Sequence, residues 1–403
     1  MNRKQVAAWA LFDFANSVYP AVIQTVVFSV YFATVIVGNE HGGGYWWWSR
    51  AMSLSVLFVS LSSPLLGAVA DRAGVRKKFM LAYTAVCIAG VALFTTIQPG
   101  MVLWGFVLAV VANIGFEGAL VFYNAYLPDI APPERQGFVS GLGFGVGYLG
   151  SILGLVMALA FVPDHMGLVW ISVALFFAVF SIPSFVFLPG DEGGMALGAA
   201  ARWGITSFRQ IVGEVLAHRD LRRFLLAFFF YIDGILTVIV MASLFAQKTF
   251  GFTQRELILL FMVVQVSALL GALVLARPTD RFGPKKVLTA VLVLWVAVAT
   301  SAYFITSKPA FFVVAVVAGF GLGSAQAASR SFMAALIPEG REAEMFGFYA
   351  FCGKSSSILG PLVFGSISKA TGGDQRLAVL AITSFYIVGL ALLQRVRDPK
   401  VSG

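Results

Sequence analysis

Hydrophobic positions along this chain fall into long unbroken runs, separated by short polar stretches that recur from one end to the other. Twelve runs reach or exceed the roughly 18–20 residues a helix needs to cross a hydrocarbon core about 30 Å thick. They are read near 6–37, from Trp46 to Gly67, 79–97, 101–124, through the glycine-rich stretch Gly141 to Gly154, 167–188, 223–247, 256–276, 287–306, 309–333, 345–368 and 377–394. The first is longer than a straight crossing requires, so it is expected to tilt or to project at its ends. The predicted fold is an all-α membrane protein with six transmembrane helices in residues 1–188 and six in 222–403. Residues 189–221 form the linker, where Ile205, Phe208, Ile211, Val212, Val215 and Leu216 return at helical spacing; an amphipathic helix on the inner membrane face is expected.

The polar stretches carry a repeat. GAVADRAGVRKK from Gly67 to Lys78 returns as ARPTDRFGPKK from Ala276 to Lys286, with Asp71 and Asp280, Arg72 and Arg281, and Gly74 and Gly283 each 209 residues apart. A second match lays Gly137–Gly150 on Gly347–Gly360 at an offset of 210, five of fourteen positions being identical. The chain is therefore two six-helix repeats of the same topology.

Composition changes the picture in one respect. Only 12% of residues are charged and 59% are hydrophobic, which excludes an ordinary soluble domain. The net charge of +9 would suggest nucleic acid, but placement argues against it. With a cytoplasmic amino terminus, the loops and tails on that side carry 20 of the 28 Lys and Arg residues, from Arg3 and Lys4 to Lys400. The opposite side has Arg50, Lys248, Arg255, Lys308, Lys369 and Arg376. This asymmetry predicts a multi-pass inner (plasma) membrane protein with both termini cytoplasmic, its basic residues meeting lipid headgroups. Cys87 and Cys352 fall in spans of different halves and imply no disulfide framework.

The basic loop G-x-x-x-D-R-x-G between spans 2 and 3, its weaker copy between spans 8 and 9, and the six-plus-six plan resemble the major facilitator superfamily. WALFDFANSVY at Trp9–Tyr19, NIGFEGALVFYNAYLPDIAPPER at Asn113–Arg135 and SRSFMAALIPEGREAEMFGFYAFCGK at Ser329–Lys354 resemble the fungal vacuolar amino-acid effluxers and their bacterial relatives. The resemblance implies the major facilitator fold and a gating role for Gly67, Asp71, Arg72 and Gly74. The second copy has Ala276 for the first glycine and adds Pro278 and Pro284, so a weaker gate is expected at Asp280, Arg281 and Gly283.

Charges inside membrane helices are costly and point at a cavity or a partner. Here they are Asp13, Glu117, Asp233, Arg330 and Lys354, with Asn16, Gln24, Asn113, Asn124 and Gln326 among the polar companions. Asn113 and Glu117 share a helix face, as do Gln326 and Arg330. The superfamily resemblance places spans 1, 4, 7 and 10 around a central cavity, and Asp13, Glu117, Asp233 and Arg330 fall one on each. A bond between Glu117 and Asn113, and a pair between Arg330 and the acidic loop Glu339, Glu342 and Glu344, are the purely structural alternatives. Acids and bases facing one cavity would suit a zwitterion such as an amino acid or short peptide. Desolvation favours the neutral form of a carboxyl group, so Glu117 or Asp13 can load a proton and make protons the coupling ion.

Other motifs carry no chemistry. Gly145, Gly147 and Gly150 spell G-x-G-x-x-G inside an apolar helix with no preceding strand, which reads as helix packing. His41, His165 and His218 are scattered, and no metal cluster or nucleophilic triad forms. The expectation is a monomeric secondary transporter without enzymatic activity, cofactor, metal or nucleic-acid partner, moving a small-molecule substrate by alternating access. The competing reading is an exporter of amphipathic compounds or lipids, with the 38 phenylalanines lining a greasy cavity.

Overall fold

The computed structural model describes residues 1–38, 43–357, 359–372 and 374–398, without the side chains of 244, 254, 255 and 258. His41, Lys400 and the Arg255 side chain, invoked above, lie outside the described residues. The helices are α1 Arg3–Asn16, α2 Gly43–Ala73, α3 Arg76–Leu93, α4 Val102–Asn124, α5 Gln136–Leu159, α6 Met166–Phe187 and α7 Leu197–Ala217. They continue as α8 Arg219–Phe250, α9 Gln254–Val274, α10 Ala276–Phe282, α11 Pro284–Phe304, α12 Lys308–Leu336, α13 Glu342–Ser356, α14 Leu359–Ala370 and α15 Gln375–Gln394. Eleven stretches of the described residues are long and apolar enough to cross a membrane. The predicted span 345–368 is not among them; α13 and α14 lie along it on either side of residue 358, which is outside the described residues.

The end of α13 has local causes. Ser356 and Ser357 turn their hydroxyls back onto the carbonyls of Gly353 and Lys354, at 2.9 and 2.7 Å, which competes with the helical ladder. Pro361 supplies no N–H to continue it. The first span also departs from a single α-helix. After Asn16 it passes through a π-helical segment, Tyr19–Val26, a short α turn, Phe28–Tyr31, and a second π segment, Phe32–Ile36. Pro20 removes a ladder donor at the first transition, and Thr25 Oγ1 donates to the Pro20 carbonyl at 2.8 Å.

The chain divides into two compact units, which only partly follow the repeats. Unit 1 comprises Met1–Ala131, Val146–Thr206 and Glu339–Gly347; unit 2 comprises Pro132–Gly145, Ser207–Pro338 and Phe348–Gly403. Thus α5, α7 and α13 each have residues in both.

Within unit 1 small residues let the backbones touch, as membrane helices require when hydrophobicity alone drives no association. A β-carbon on Gly115 would stand 2.5 Å from the Cys87 nitrogen, and one on Gly147 would stand 2.8 Å from Ser17 Oγ. One on Gly150 would overlap the Phe14 carbonyl. The glycines of α5 are therefore packing positions, as the apolar setting of G-x-G-x-x-G implied. Aromatic rings fill the rest: Phe28 stacks on Phe94 at 3.9 Å and meets Trp170 edge-on at 5.2 Å. Phe12, Phe28, Phe32 and Phe94 are all fully buried, so a share of the phenylalanines serves the interior.

Unit 2 follows the same rule. Gly271 lies against the Phe320 carbonyl, Gly319 against that of Val264, and Gly323 against that of Ala268, locking α9 to α12. Ser267 Oγ adds a 2.6 Å bond to the Val316 carbonyl. Gly251, at φ 66°, ends α8 in the left-handed conformation. Two residues later Thr253 opens α9 with a capping box, its side chain meeting the Glu256 nitrogen while Glu256 bonds back to the Thr253 nitrogen at 2.7 Å. Lys308 reaches the same carboxylate at 2.9 Å. These donors hold Glu256 well below the usual carboxylate range, at about 2, the backbone bond from Thr253 being the largest cause. A depressed value in the fold means that the stabilisation is complete above the ordinary range near 4.5 and disappears as pH falls through about 2. The protection factor of the amides at the start of α9, with intrinsic exchange divided out, is expected to fall as pH drops across that window in the native protein and to stay level in Glu256→Gln.

The linker helix α7 departs from a helix resting freely on a membrane. Ala200 packs with Val69 and Ala73 against Leu65, Val75 and Phe79, and Ile211 and Val215 are buried, whereas Ile205 and Leu216 remain exposed. Two of the six positions of the predicted apolar stripe are thus taken fully by protein.

Candidate functional site

Both copies of the repeated loop do the same physical work. Asp71, near the end of α2, accepts the backbone N–H groups of Ala343 and Glu344 at 3.2 and 2.9 Å. These are the second and third residues of α13, whose amides have no partner within the helix. Asp280 in α10 does the same for Gly137 and Phe138 of α5, at 2.7 and 2.9 Å. A carboxylate at a helix N-terminus also meets the positive end of the macrodipole. The altered second copy keeps this bond: Pro284 occupies the first position of α11, where its missing N–H costs nothing, and Gly283 makes the turn at φ 91°.

The close approach explains the glycine that opens the first copy. A β-carbon on Gly67 would overlap the Ala343 carbonyl, so only glycine lets α2 and the start of α13 come this near. Gly74 turns the chain at φ 60° beneath Gly193 of the linker.

The arginine of the motif is not the one beside Asp71. Arg72 stacks over Trp203 of α7 at 4.3 Å, and its carbonyl accepts from Met195. Arg76 instead bridges Asp71 at 3.4 Å, Asp129 at 3.0 Å and Glu342 at 3.3 Å, joining the ends of α2, α3, α4 and α13. Arg341 pairs with Glu344 in the same cluster. Lys77 is pinned through its nitrogen to Asp191 at 2.8 Å and through Nζ to the Leu188 carbonyl at 2.8 Å. The linker therefore grips the loop that holds Asp71. In the second copy Arg281 lies over the Phe282 ring at 5.2 Å.

The buried polar residues of unit 1 gather on the first span and α4. Asp13 and Glu117 are each 6% exposed, and Asn16 is 4% exposed, with its amide nitrogen lacking an acceptor. Trp9 donates to the Tyr123 carbonyl at 3.0 Å and stacks on that ring at 4.6 Å, fixing α1 against α4 beside Asn124. Asn113 does not serve Glu117 as its structural partner: its carbonyl oxygen takes Gln24 at 2.5 Å, and its amide donates to Ser55 at 2.7 Å. Glu117 lies instead within electrostatic reach of Tyr19 and Cys87. Tyr19 stacks on Phe116 at 4.8 Å and holds a buried hydroxyl without a partner.

In unit 2, Arg330 is 1% exposed on α12 and donates to Ser140 through Nε at 3.0 Å and Nη2 at 2.8 Å. Its guanidinium sits 4.0 Å over the Phe144 ring. Gln326 stands one turn before Arg330, half-buried, and Lys354 is half-buried on α13. Asp233 on α8 is fully buried, accepting from the Gly360 nitrogen at 3.1 Å and Thr237 at 3.4 Å. Sequence reading passed over Arg76, Ser55, Tyr19, Ser140 and Tyr386. Arg76 was legible only as one of a basic cluster, and nothing in a serine or tyrosine inside an apolar run distinguishes it. Among the described residues no group of His, Cys, Asp and Glu could hold a metal ion.

These helices belong to a known architecture. The human organic anion transporter MFSD10 matches with a TM-score of 0.76 at 17% identity, over 98% of this chain and 100% of that one. The E. coli fucose:proton symporter FucP matches at 0.74 and 15% identity, over 98% of both chains. The protein is a multi-pass secondary transporter of the major facilitator class, with transporters rather than enzymes as relatives.

Within that class the chain belongs to the family described as "Vacuole effluxer Atg22 like", whose model matches residues 50–401. It is 30% identical to YxiO, an MFS-type transporter of Bacillus subtilis, over 97% of this chain and 94% of that protein. It is 26% identical to autophagy-related protein 22 of Coccidioides immitis, over 79% of this chain and 67% of that protein.

Proposed function

We propose that this transporter carries a small zwitterion, an amino acid or short peptide, by alternating access with protons as the coupling ion, in a plasma membrane with both termini cytoplasmic. Opposite charges held inside membrane spans carry the reading: Asp13 and Glu117 on the first span and α4, and Arg330 on α12, each at least nine-tenths buried. Such charges are expensive to keep in a membrane, and a solute carrying an ammonium and a carboxylate offers a partner to a group of either sign. Asp71 and Asp280 supply the detachable element, since each holds a helix by hydrogen bonds to its first turn and lets go when that helix moves.

A thermal-shift screen of amino acids, short peptides and amphiphiles tests the solute class. Zwitterions are expected to stabilise the protein, and Glu117→Gln is expected to weaken the best of them about tenfold or more, the cost of one charge-assisted bond. Undiminished binding by that variant would remove Glu117 from the solute site.

One observation favours the competing reading. Unit 2 contains a cavity of about 120 Å³ lined by Met241, Phe261, Val264, Trp295, Phe311 and other apolar side chains. Stabilisation by amphiphiles alone would select it.

A further inference from the structure

Asp233 differs from Asp13 and Glu117 in holding a buried carboxyl oxygen without a hydrogen-bond partner. Its Oδ1 accepts the Gly360 N–H and the Thr237 hydroxyl, while Oδ2 is buried with no partner. Gly360 is the second residue of α14. Asp233 thus holds a helix N-terminus, as Asp71, Asp191, Asp280 and Asp374 each do.

A second orphan lies near this carboxyl group. Tyr386 of α15 is fully buried, its hydroxyl has no partner, and it interacts electrostatically with Asp233. The phenol carbon bearing that hydroxyl lies 3.1 Å from where a β-carbon on Gly234 would stand, next along the chain from Asp233. Around them are Thr237 on the same helix, Tyr231 bonded to Ser329 of α12 at 2.7 Å, and Trp295 of α11 packed 5.6 Å from the Tyr386 ring. No cation pairs with Asp233 among the described residues.

We propose that Asp233 is a proton-binding site of the transport cycle, with the proton on Oδ2 shared toward the Tyr386 hydroxyl and with α14 as the element it controls. An acidic O–H supplies the donor that the Tyr386 oxygen lacks and removes a charge that has no counter-ion in a hydrocarbon surrounding. A bare metal cation fits poorly, because it needs several oxygens at short range and room to hold them. A β-carbon on Gly360 would already overlap Thr237 Oγ1, and Asp233 lines neither of the described cavities. Loss of the proton restores a full carboxylate at the N-terminus of α14 and tightens that bond; gain of the proton slackens it.

The assignment rests on the proton-coupled reading above, but its test reads the carboxyl group itself and needs no transported solute. In the purified full-length protein, the infrared C=O band of protonated carboxylic acid is followed against pH. Asp233→Asn is expected to remove one component of the wild-type band, and Tyr386→Phe to retain that component at a displaced frequency. A wild-type band identical to that of Asp233→Asn at every pH would overturn the assignment, as would a component indifferent to Tyr386→Phe. Replacing sodium chloride by choline chloride at constant pH is expected to leave the melting temperature of wild type unchanged. Stabilisation by sodium that vanishes in Asp233→Asn would assign the site to a metal ion instead.

Discussion

Asp71→Ala is expected to release the start of α13. The substitution removes two bonds to backbone amides and the Arg76 contact, from a side chain only 3% exposed. Loss of a cap of this kind costs about 2 kcal/mol, roughly a thirtyfold fall in the population of the capped conformation. Arg76 would keep Asp129 and Glu342, so the cluster should loosen without scattering. Cys352 on α13 is a native reporter, and Cys87 is buried on α3. In a Cys87→Ser background, maleimide should label Cys352 several-fold faster after Asp71→Ala. Asp71→Asn, which keeps one acceptor and loses the charge, should fall between. Equal labelling of all three proteins would show that the cap holds nothing. The same substitution at Asp280 should release α5, since its two bonds are at least as short.

The second large effect belongs to a glycine with no role in chemistry. Gly323→Val would drive a branched side chain into the Ala268 carbonyl at the crossing of α9 and α12. Neither backbone can yield, because Gly271 and Gly319 fix the same pair of helices on either side. A loss of about 3 kcal/mol or more is expected, enough to abolish the monodisperse peak of the detergent-solubilised protein. Gly213→Ala and Gly365→Ala are the controls: nothing lies within 4 Å of a β-carbon at either position, and removing a helical glycine should leave stability equal or slightly improved. If Gly323→Val behaved like the controls, the close crossing of α9 and α12 would be wrong.

Much of the architecture could be read directly because apolar length is a one-dimensional signal. A run such as 167–188 names its own helix, found at Met166–Phe187. The repeat at Asp71 and Asp280 was visible for the same reason: it is local, polar and set in an apolar background. What escaped depends on contacts remote in sequence. Which helix Asp71 caps is settled only when two segments 272 residues apart meet. The preference for Arg72 over Arg76 followed the motif's spacing, whereas the stack on Trp203 is decided by where the linker lies. The i,i+4 argument put Asn113 and Glu117 on one face correctly as helix geometry, yet could not foresee that Gln24 and Ser55 would take the Asn113 amide. The end of α13 had left a trace, in three consecutive serines, that hydrophobicity alone conceals.

The wide turns of the first span give it something a regular helix lacks, which is spare chain. A π turn stores an additional residue in the coil, and returning it to α geometry would rotate everything beyond it by about 100°. The first such segment, Tyr19–Val26, begins just after Asp13 and Asn16 and contains Gln24. Winding it in would therefore swing the Gln24 amide away from Asn113 while Asp13 stayed in place against α5. One end of the span can thus work as a ratchet, advancing by single residues, while the other serves as its fixed pawl.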